Sequence, residues 1–310
     1  MRRLAIRGTR SASVAMVLLT LIWGSNWLAM KWGLAYADPV VFNVHRTLVA
    51  LAALFALLVA MRRPLLPPSW TVVAVTGLFQ TTINFGATTM ALAEGAVGRT
   101  AVLVFTMPFW TILFAWPVLH ERLRGLQWLA VGLAFIGLTL VVQPWSWEGA
   151  LAPRLWALAS ALGWAGGTIA IKHYQRSRKL DMLNLMAWQM ALGVLPLLPL
   201  ALLRTARPTD WSPEYAFWLF FVGVISSALG FALWVAILRW LSAGTAALGT
   251  LAVPVVALVI SGIVLGERPS SIEWIGMAAI GAGLVIISLR AWRADRQGRA
   301  AEVVPPIEGS

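Results

Sequence analysis

The side chains that could do chemistry in this chain are few. There are three histidines, twelve Asp and Glu, and no cysteine. His45, His120 and His173 lie too far apart to form a spaced metal-ligand set, and without cysteine there is neither a disulfide nor a thiolate site. HExxH, a glycine-rich loop ending in GK[ST] and a Ser/His/Asp set at one depth are all missing. The expectation is no catalytic residue, no metal and no cofactor. What stands out instead are polar and charged groups inside long apolar runs. A charge at mid-helix in a bilayer costs about 2.5–3.5 kcal/mol on insertion scales, so each one needs a reason. The planar guanidinium of Arg46 suits a bidentate carboxylate, or it ties down nearby carbonyls. Lys31, at a similar depth, either snorkels to the interface or joins it. Asn26, Gln80, Asn84, Thr106, Gln189 and Ser227 are neutral polar groups at depth; Trp23, Trp110, Trp164 and Trp234 are aromatic ones. Gln80 and Asn84 are four apart and share a helix face. Together with Arg46 these residues are the candidate substrate-binding set, lining a polar and aromatic cavity. For each of them interhelical hydrogen bonding or packing is the alternative. Pro108 and Pro254 remove a backbone donor within an apolar run and are the candidate hinges. None of the acids falls at the centre of a run, which argues against a buried proton-carrying carboxylate. Glu121 and Glu267 read as polar ties at helix ends.

The elements that must position these groups follow from composition. Of 310 residues, 60% are hydrophobic and 12% charged, against about 25% charged in an ordinary soluble domain. Mean hydropathy is +0.80. This excludes a soluble globular enzyme, a disordered chain and a coiled coil, and leaves a polytopic membrane protein. Runs long enough to cross a hydrocarbon core of roughly 30 Å fall at about 13–35, 41–61, 70–92, 98–119, 126–144, 153–173, 182–203, 214–238, 244–265 and 273–292. Breakers such as Asp38-Pro39, Pro67-Pro68, Arg207-Pro208 and Ser212-Pro213 separate them. The fold class expected is all-α integral membrane, with ten transmembrane helices. The net charge of +12 could signal nucleic acid. The basic residues, however, concentrate in alternate loops: Arg2, Arg3, Arg7 and Arg10, Arg62 and Arg63, Arg122 and Arg124, Lys172 to Lys179, Arg239, and Arg290 to Arg299. That asymmetry places both termini in the cytoplasm and leaves no nucleic-acid partner. Met1–Arg10 is basic, but no small-residue cleavage site follows the first apolar run, so a retained first helix is expected rather than a signal peptide. Trp32, Trp70, Trp145, Trp147, Trp211 and Trp292 near run ends form an interfacial belt.

The two halves of the chain repeat. At an offset of 141, Trp23 matches Trp164, Lys31 matches Lys172 and Asn43 matches Asn184. At an offset of 146, Gly77 matches Gly223, Phe85 matches Phe231, Gly98 matches Gly244, Pro108 matches Pro254, and Glu121-Arg122 matches Glu267-Arg268. Each unit, 13–144 and 153–292, holds five runs. An odd number inverts the second unit in the membrane, as in transporters that open a midplane site to alternate sides. On Trp23-Gly24-Ser25-Asn26, Arg46, and the paired Pro108…Glu121 and Pro254…Glu267, the sequence resembles the EamA-type members of the drug/metabolite transporter superfamily over about residues 13–292. The resemblance implies a ten-helix bundle with a central cavity, in a bacterial inner membrane, that exports or exchanges small metabolites. The halves are not equivalent, since Ala165-Gly166-Gly167 follows Trp164 and Ala187 stands opposite Arg46.

The reading reached from the sequence is a secondary transporter that moves a small amphipathic solute such as an amino acid by alternating access. Its partners are that solute and the lipid bilayer, as a monomer or a homodimer. A membrane-embedded enzyme and an accessory subunit are the competing readings.

Overall fold

The structure is a computed structural model. It describes residues 2–121, 123, 125–143, 145, 151–203, 207–237 and 249–303, with backbone alone for 2–12, 291 and 294–303. Arg122, Arg124, Trp147, Arg239, Gly244 and the first residues of the ninth run lie outside the described residues, and the side chains of Arg2 to Arg10, Arg296 and Arg299 likewise.

Every regular element among the described residues is helical, and these elements group into ten passages of the bundle. The passages are α1 (Arg2–Gly33), α2 (Pro39–Ala60), α3 (70–94), α4 (Val97–Leu119), α5 (Leu126–Val142), α6 (Leu151–Gln175), α7 (182–203), α8 (Pro213–Ile237), α9 (Ala252–Val264) and α10 (Ser271–Val303). Ser13–Gly33 of α1, all of α2, α4 and α8, and Ser271–Arg290 of α10 are long and apolar enough to span a membrane alone. α7 does so as two segments bent by 41°, Met182–Val194 and Leu197–Leu203. α5 and α9 are shorter apolar helices. The turn signals do what their chemistry requires. Asp38 accepts from Val40 N at 2.9 Å with Pro39 in the first turn of α2, and Asp181 accepts from Leu183 N and Asn184 N to start α7. Ser270 and Glu273 form a reciprocal capping box at α10.

The repeat is written in the backbone as well. α3 contains a nine-residue π-helical segment, Gly77–Phe85, and α8 contains its counterpart, Phe221–Leu229. The two segments are held differently: Ser227 Oγ donates to Val222 O, the carbonyl five residues back, at 2.8 Å, whereas Thr82 Oγ1 donates across to Gly193 O of α7 at 2.6 Å. The Ser227 bond supports the wider turn of α8, and the Thr82 bond ties that of α3 to α7; π segments recur at functional sites. α4 is interrupted at Phe105 and Thr106, and α9 at Leu251, 146 residues after Phe105. The prolines therefore do not kink continuous helices as expected. Pro108 stands in the first turn of Met107–Leu119, just past the break, where no helical N–H is missed, and Pro254 follows Leu251 in the same way. The exposed carbonyl at the first break is satisfied by Thr106 Oγ1, which donates to Leu103 O at 2.6 Å.

Packing sorts the passages into two trios that mix the repeats. α1 packs on α8 and α9; α6 packs on α3 and α4. α2 and α7 lie against each other on one flank, and α5 lies along α10 on the other. Small residues set the spacing. A Cβ on Gly163 would stand 2.7 Å from Phe79 O, one on Gly77 2.8 Å from Gln189 O, and one on Gly276 2.7 Å from Gly137 O. We call the face where α1 begins and α10 ends proximal, and the other distal.

Candidate functional site

The seam between the trios is held at the distal face. The α3 segment Gly86–Glu94 and the α4 segment Val97–Val104 meet α1, and Val97–Val104 also packs on α9. At Gly98 a Cβ would stand 2.8 Å from Ser261 Oγ of α9. Trp27 of α1 meets Phe105 at the α4 break, with centroids 6.4 Å apart. Met107–Leu119, the proximal half of α4, packs instead against α6 and α5.

Two charged residues tie the distal seam. Lys31 Nζ donates to Leu92 O at 2.6 Å, Gly95 O at 3.1 Å and Ala93 O at 3.3 Å, capping the last carbonyls of α3 with a cation. Glu267, just beyond α9, accepts from Val97 N at 2.6 Å and Gly98 N at 2.9 Å, capping the first amides of α4 with an anion. Lys31 is thus a cross-trio tie rather than a snorkelling chain, and Glu267 is the helix-end tie expected of it. At the proximal face the counterpart of the α3–α4 connection, 238–244, lies outside the described residues, and the contacts among the described residues are these. Lys172 pairs with Glu121 at 3.0 Å, and Arg176 pairs with Glu121 at 3.5 Å and donates to Leu119 O at 2.7 Å. All of these belong to α4, its end, and α6, so they lie within one trio.

The candidate lining residues divide. Trp23 of α1 donates to Ser226 O of α8 at 3.1 Å and packs against Phe231 and Trp234, with Trp234 at 6.0 Å. Ser227 closes the π turn of α8. This group is internal to one trio. In the other, Asn84 Nδ2 donates to Ser160 Oγ at 2.7 Å and Ser160 O at 2.9 Å, with Thr88 joining the same hydroxyl. Gln80 Nε2 reaches Trp164 O and Thr168 Oγ1, each at 3.4 Å. These bonds stitch α3 to α6. Trp110 Nε1 donates to Thr106 Oγ1 at 3.2 Å, and its ring meets Phe135 of α5 edge-on. A void of about 10 Å³ at Thr106, Phe109, Trp110 and Phe135 lies between α4 and α5, and a cleft of about 420 Å³ at Leu126, Leu289, Arg290 and Arg293 lies between α5 and α10. Gln189 of α7 donates to Met186 Sδ at 3.1 Å.

Several buried polar atoms have no partner among the described residues, including Asn26 Oδ1, Asn43 Nδ2, Gln80 Oε1, Thr81 Oγ1 and Gln189 Oε1. Arg46 does lie on the seam. It reaches from α2 to Met30 of α1 and Phe85 of α3, one residue from each trio. Sequence reasoning missed the residues around it: Met30, Asn43 as a donor, and Phe85. Their apolar or repeat-matching character gave no sign that one guanidinium gathers them. His45 bonds Tyr215 OH at 2.8 Å in an aromatic cluster with Trp211, as a packing residue.

Comparison with known proteins places this geometry. The model of the EamA-like transporter family matches residues 10–143 and again 152–289. The chain is similar to an uncharacterized transporter of Bacillus subtilis, YoaV, at 25% identity over 82% of this chain and 89% of that one. It is 28% identical to a Salmonella typhimurium protein named "Probable amino-acid metabolite efflux pump", over 90% of this chain and 95% of that one. It is 24% identical to an Escherichia coli protein named "Uncharacterized inner membrane transporter YedA", over 89% of this chain and 90% of that one. A crystal structure superposes with a TM-score of 0.59 at 20% identity, covering 92% of this chain and 99% of that one, a likeness of fold.

Proposed function

Because the chain belongs to the EamA-like transporter family and is a multi-pass membrane transporter, we propose that it moves a small organic solute by exchanging which face of the seam is closed. One observation carries this reading. Lys31 and Glu267 bridge the two trios at the distal face, while their repeat counterparts Lys172 and Glu121 pair within a single trio at the proximal face. Among the described residues the same side-chain types thus hold two arrangements, as expected of a two-state carrier with one face sealed. In the opposite state Lys31 and Glu267 release the α3–α4 connection, and Glu121 and Lys172 cross the proximal seam.

The solute is an amino acid or a related amphipathic metabolite. Relatives named as amino-acid metabolite efflux pumps support this, as do a buried cation and unpartnered amide atoms near the seam. The favoured direction is export across a bacterial inner membrane with both termini cytoplasmic, which makes the distal face periplasmic. Charge asymmetry of the loops supports that orientation. No partner subunit enters the proposal, and neither does a catalytic step.

The test is the purified full-length protein in liposomes, screened with labelled amino acids with and without a proton gradient. Flux by the protein alone is expected. A requirement for a second protein, or chemical conversion of the solute without flux, overturns the reading.

A further inference from the structure

Arg46 is 5% exposed and Asn43, one turn earlier on α2, is fully buried. Arg46 Nε donates to Asn43 Oδ1 at 2.9 Å, one terminal nitrogen donates to Met30 Sδ at 3.0 Å, and the guanidinium carbon lies 4.1 Å from the Phe85 ring centroid. A thioether is a weak acceptor and a ring face supplies only a quadrupole, so neither neutralises the charge. The ion pairs among the described residues, Arg63–Asp181, Arg99–Glu273 and those of Glu121, leave Arg46 aside. Asn43 Nδ2 is buried without an acceptor among the described residues. An uncompensated guanidinium and an unmet amide donor therefore stand together on one face of α2. They lie where a helix of each trio converges. This arrangement is costly unless something else supplies the anion.

We infer that Arg46 and Asn43 form a carboxylate subsite for the transported solute. The inference rests on the transporter reading above and names its substrate class. A carboxylate accepts from the free edge of the guanidinium and from Asn43 Nδ2, and its planar pair of oxygens matches the guanidinium fork. One cation and one neutral donor balance a monoanion; a phosphate dianion would need more positive charge. Asn26 is four residues before Met30 and so one turn deeper on the same face of α1. Its unpartnered Oδ1 offers an acceptor to an ammonium, which makes α-amino acids the fit. The site sits at the junction that must part when the distal face opens, so occupancy and opening are coupled.

The experiment compares each L-α-amino acid with its amide, using thermal unfolding in detergent for binding and liposome flux for transport. At least one acid is expected to raise the melting temperature and to move at least tenfold faster than its amide. Arg46→Met is expected to erase that preference while raising the ligand-free melting temperature, because it removes an unpaired charge. A purely structural Arg46 would lower it. Arg46→Lys keeps part of the preference. Asn43→Asp supplies a resident carboxylate, and is expected to stabilise the protein and block the acids; it serves if Arg46→Met fails to insert. Equal flux of acids and amides, unchanged in these variants, overturns the subsite and leaves the transporter standing. Acid-specific stabilisation without any flux does the reverse.

Discussion

Glu267 accepts from Val97 N at 2.6 Å, and Lys31 donates to Gly95 O at 3.1 Å, two residues earlier in the same connection. Anion and cation thus hold the two ends of one short turn, the end of α3 and the start of α4, from α1 and from the residue run after α9. Each complements the helix dipole it meets. The turn is grasped from the opposite trio on both sides.

Glu267→Gln should loosen this grasp. Hydrogen bonds to a charged group contribute about 1.5–3 kcal/mol each, so weakening two of them shifts opening of the distal face by at least about tenfold. The chain has no cysteine, so a single cysteine at Ala96 reports directly. Its labelling by a membrane-impermeant maleimide should speed up in Glu267→Gln and slow in Lys172→Gln, which removes a tie of the distal-open state. An unchanged rate in Glu267→Gln contradicts the latch.

Glu121 and Lys172 are nearly half exposed, and surface pairs contribute about 0–1 kcal/mol. Glu121→Gln should leave the melting temperature within a degree or two of the parent yet slow solute exchange. A large loss of stability would show that the pair is structural in the state described.

Asn84→Ala deletes the amide that binds Ser160 twice and leaves a buried hydroxyl and carbonyl short of a donor. A loss of about 0.6–2 kcal/mol is expected from membrane double-mutant values and buried-group penalties. Thermal unfolding should fall, while flux per folded molecule stays close to the parent. Lost flux with unchanged stability would return Asn84 to the solute path.

Gly163→Leu should be far more damaging, because its Cβ would stand 2.7 Å from Phe79 O and 3.0 Å from Asn84 N, both backbone atoms. Backbone cannot yield as a side chain does, and overpacking costs about 1–3 kcal/mol or more. Poor insertion, or early elution as aggregate on gel filtration, is the expected readout. A parent-like profile would place α3 and α6 farther apart.

Single cysteines at Ser177, on the proximal face, and at Asp210, on the distal face, test the orientation. Ser177 is expected to label from the cytoplasm and Asp210 from the opposite side. The reverse pattern would invert the direction assigned to the whole cycle.

Composition and run length were enough to determine ten apolar passages, because a bilayer requires each crossing to satisfy its own backbone and the hydropathy pattern records that requirement directly. The duplicated Pro, Glu and Lys positions determined the inverted repeat, since side-chain identity survives in sequence. Where those side chains point was settled by the fold alone. Asn84 and Trp110 share the polar or aromatic character of a lining residue, yet one binds Ser160 of α6 and the other leans on Phe135 of α5. In a helix of this kind polar groups bond neighbouring helices as readily as a solute, so residue type cannot separate the two roles. The π segments of α3 and α8 were equally illegible: Ser227 bonds the carbonyl five residues back and Thr82 the carbonyl of Gly193 on α7, choices open to any helical hydroxyl until packing selects one. The tie made by Lys31 depends on a carbonyl sixty-four residues away. Local sequence carries no trace of such a meeting; the partners come together only because α1 and the end of α3 belong to opposite trios pressed together at one face.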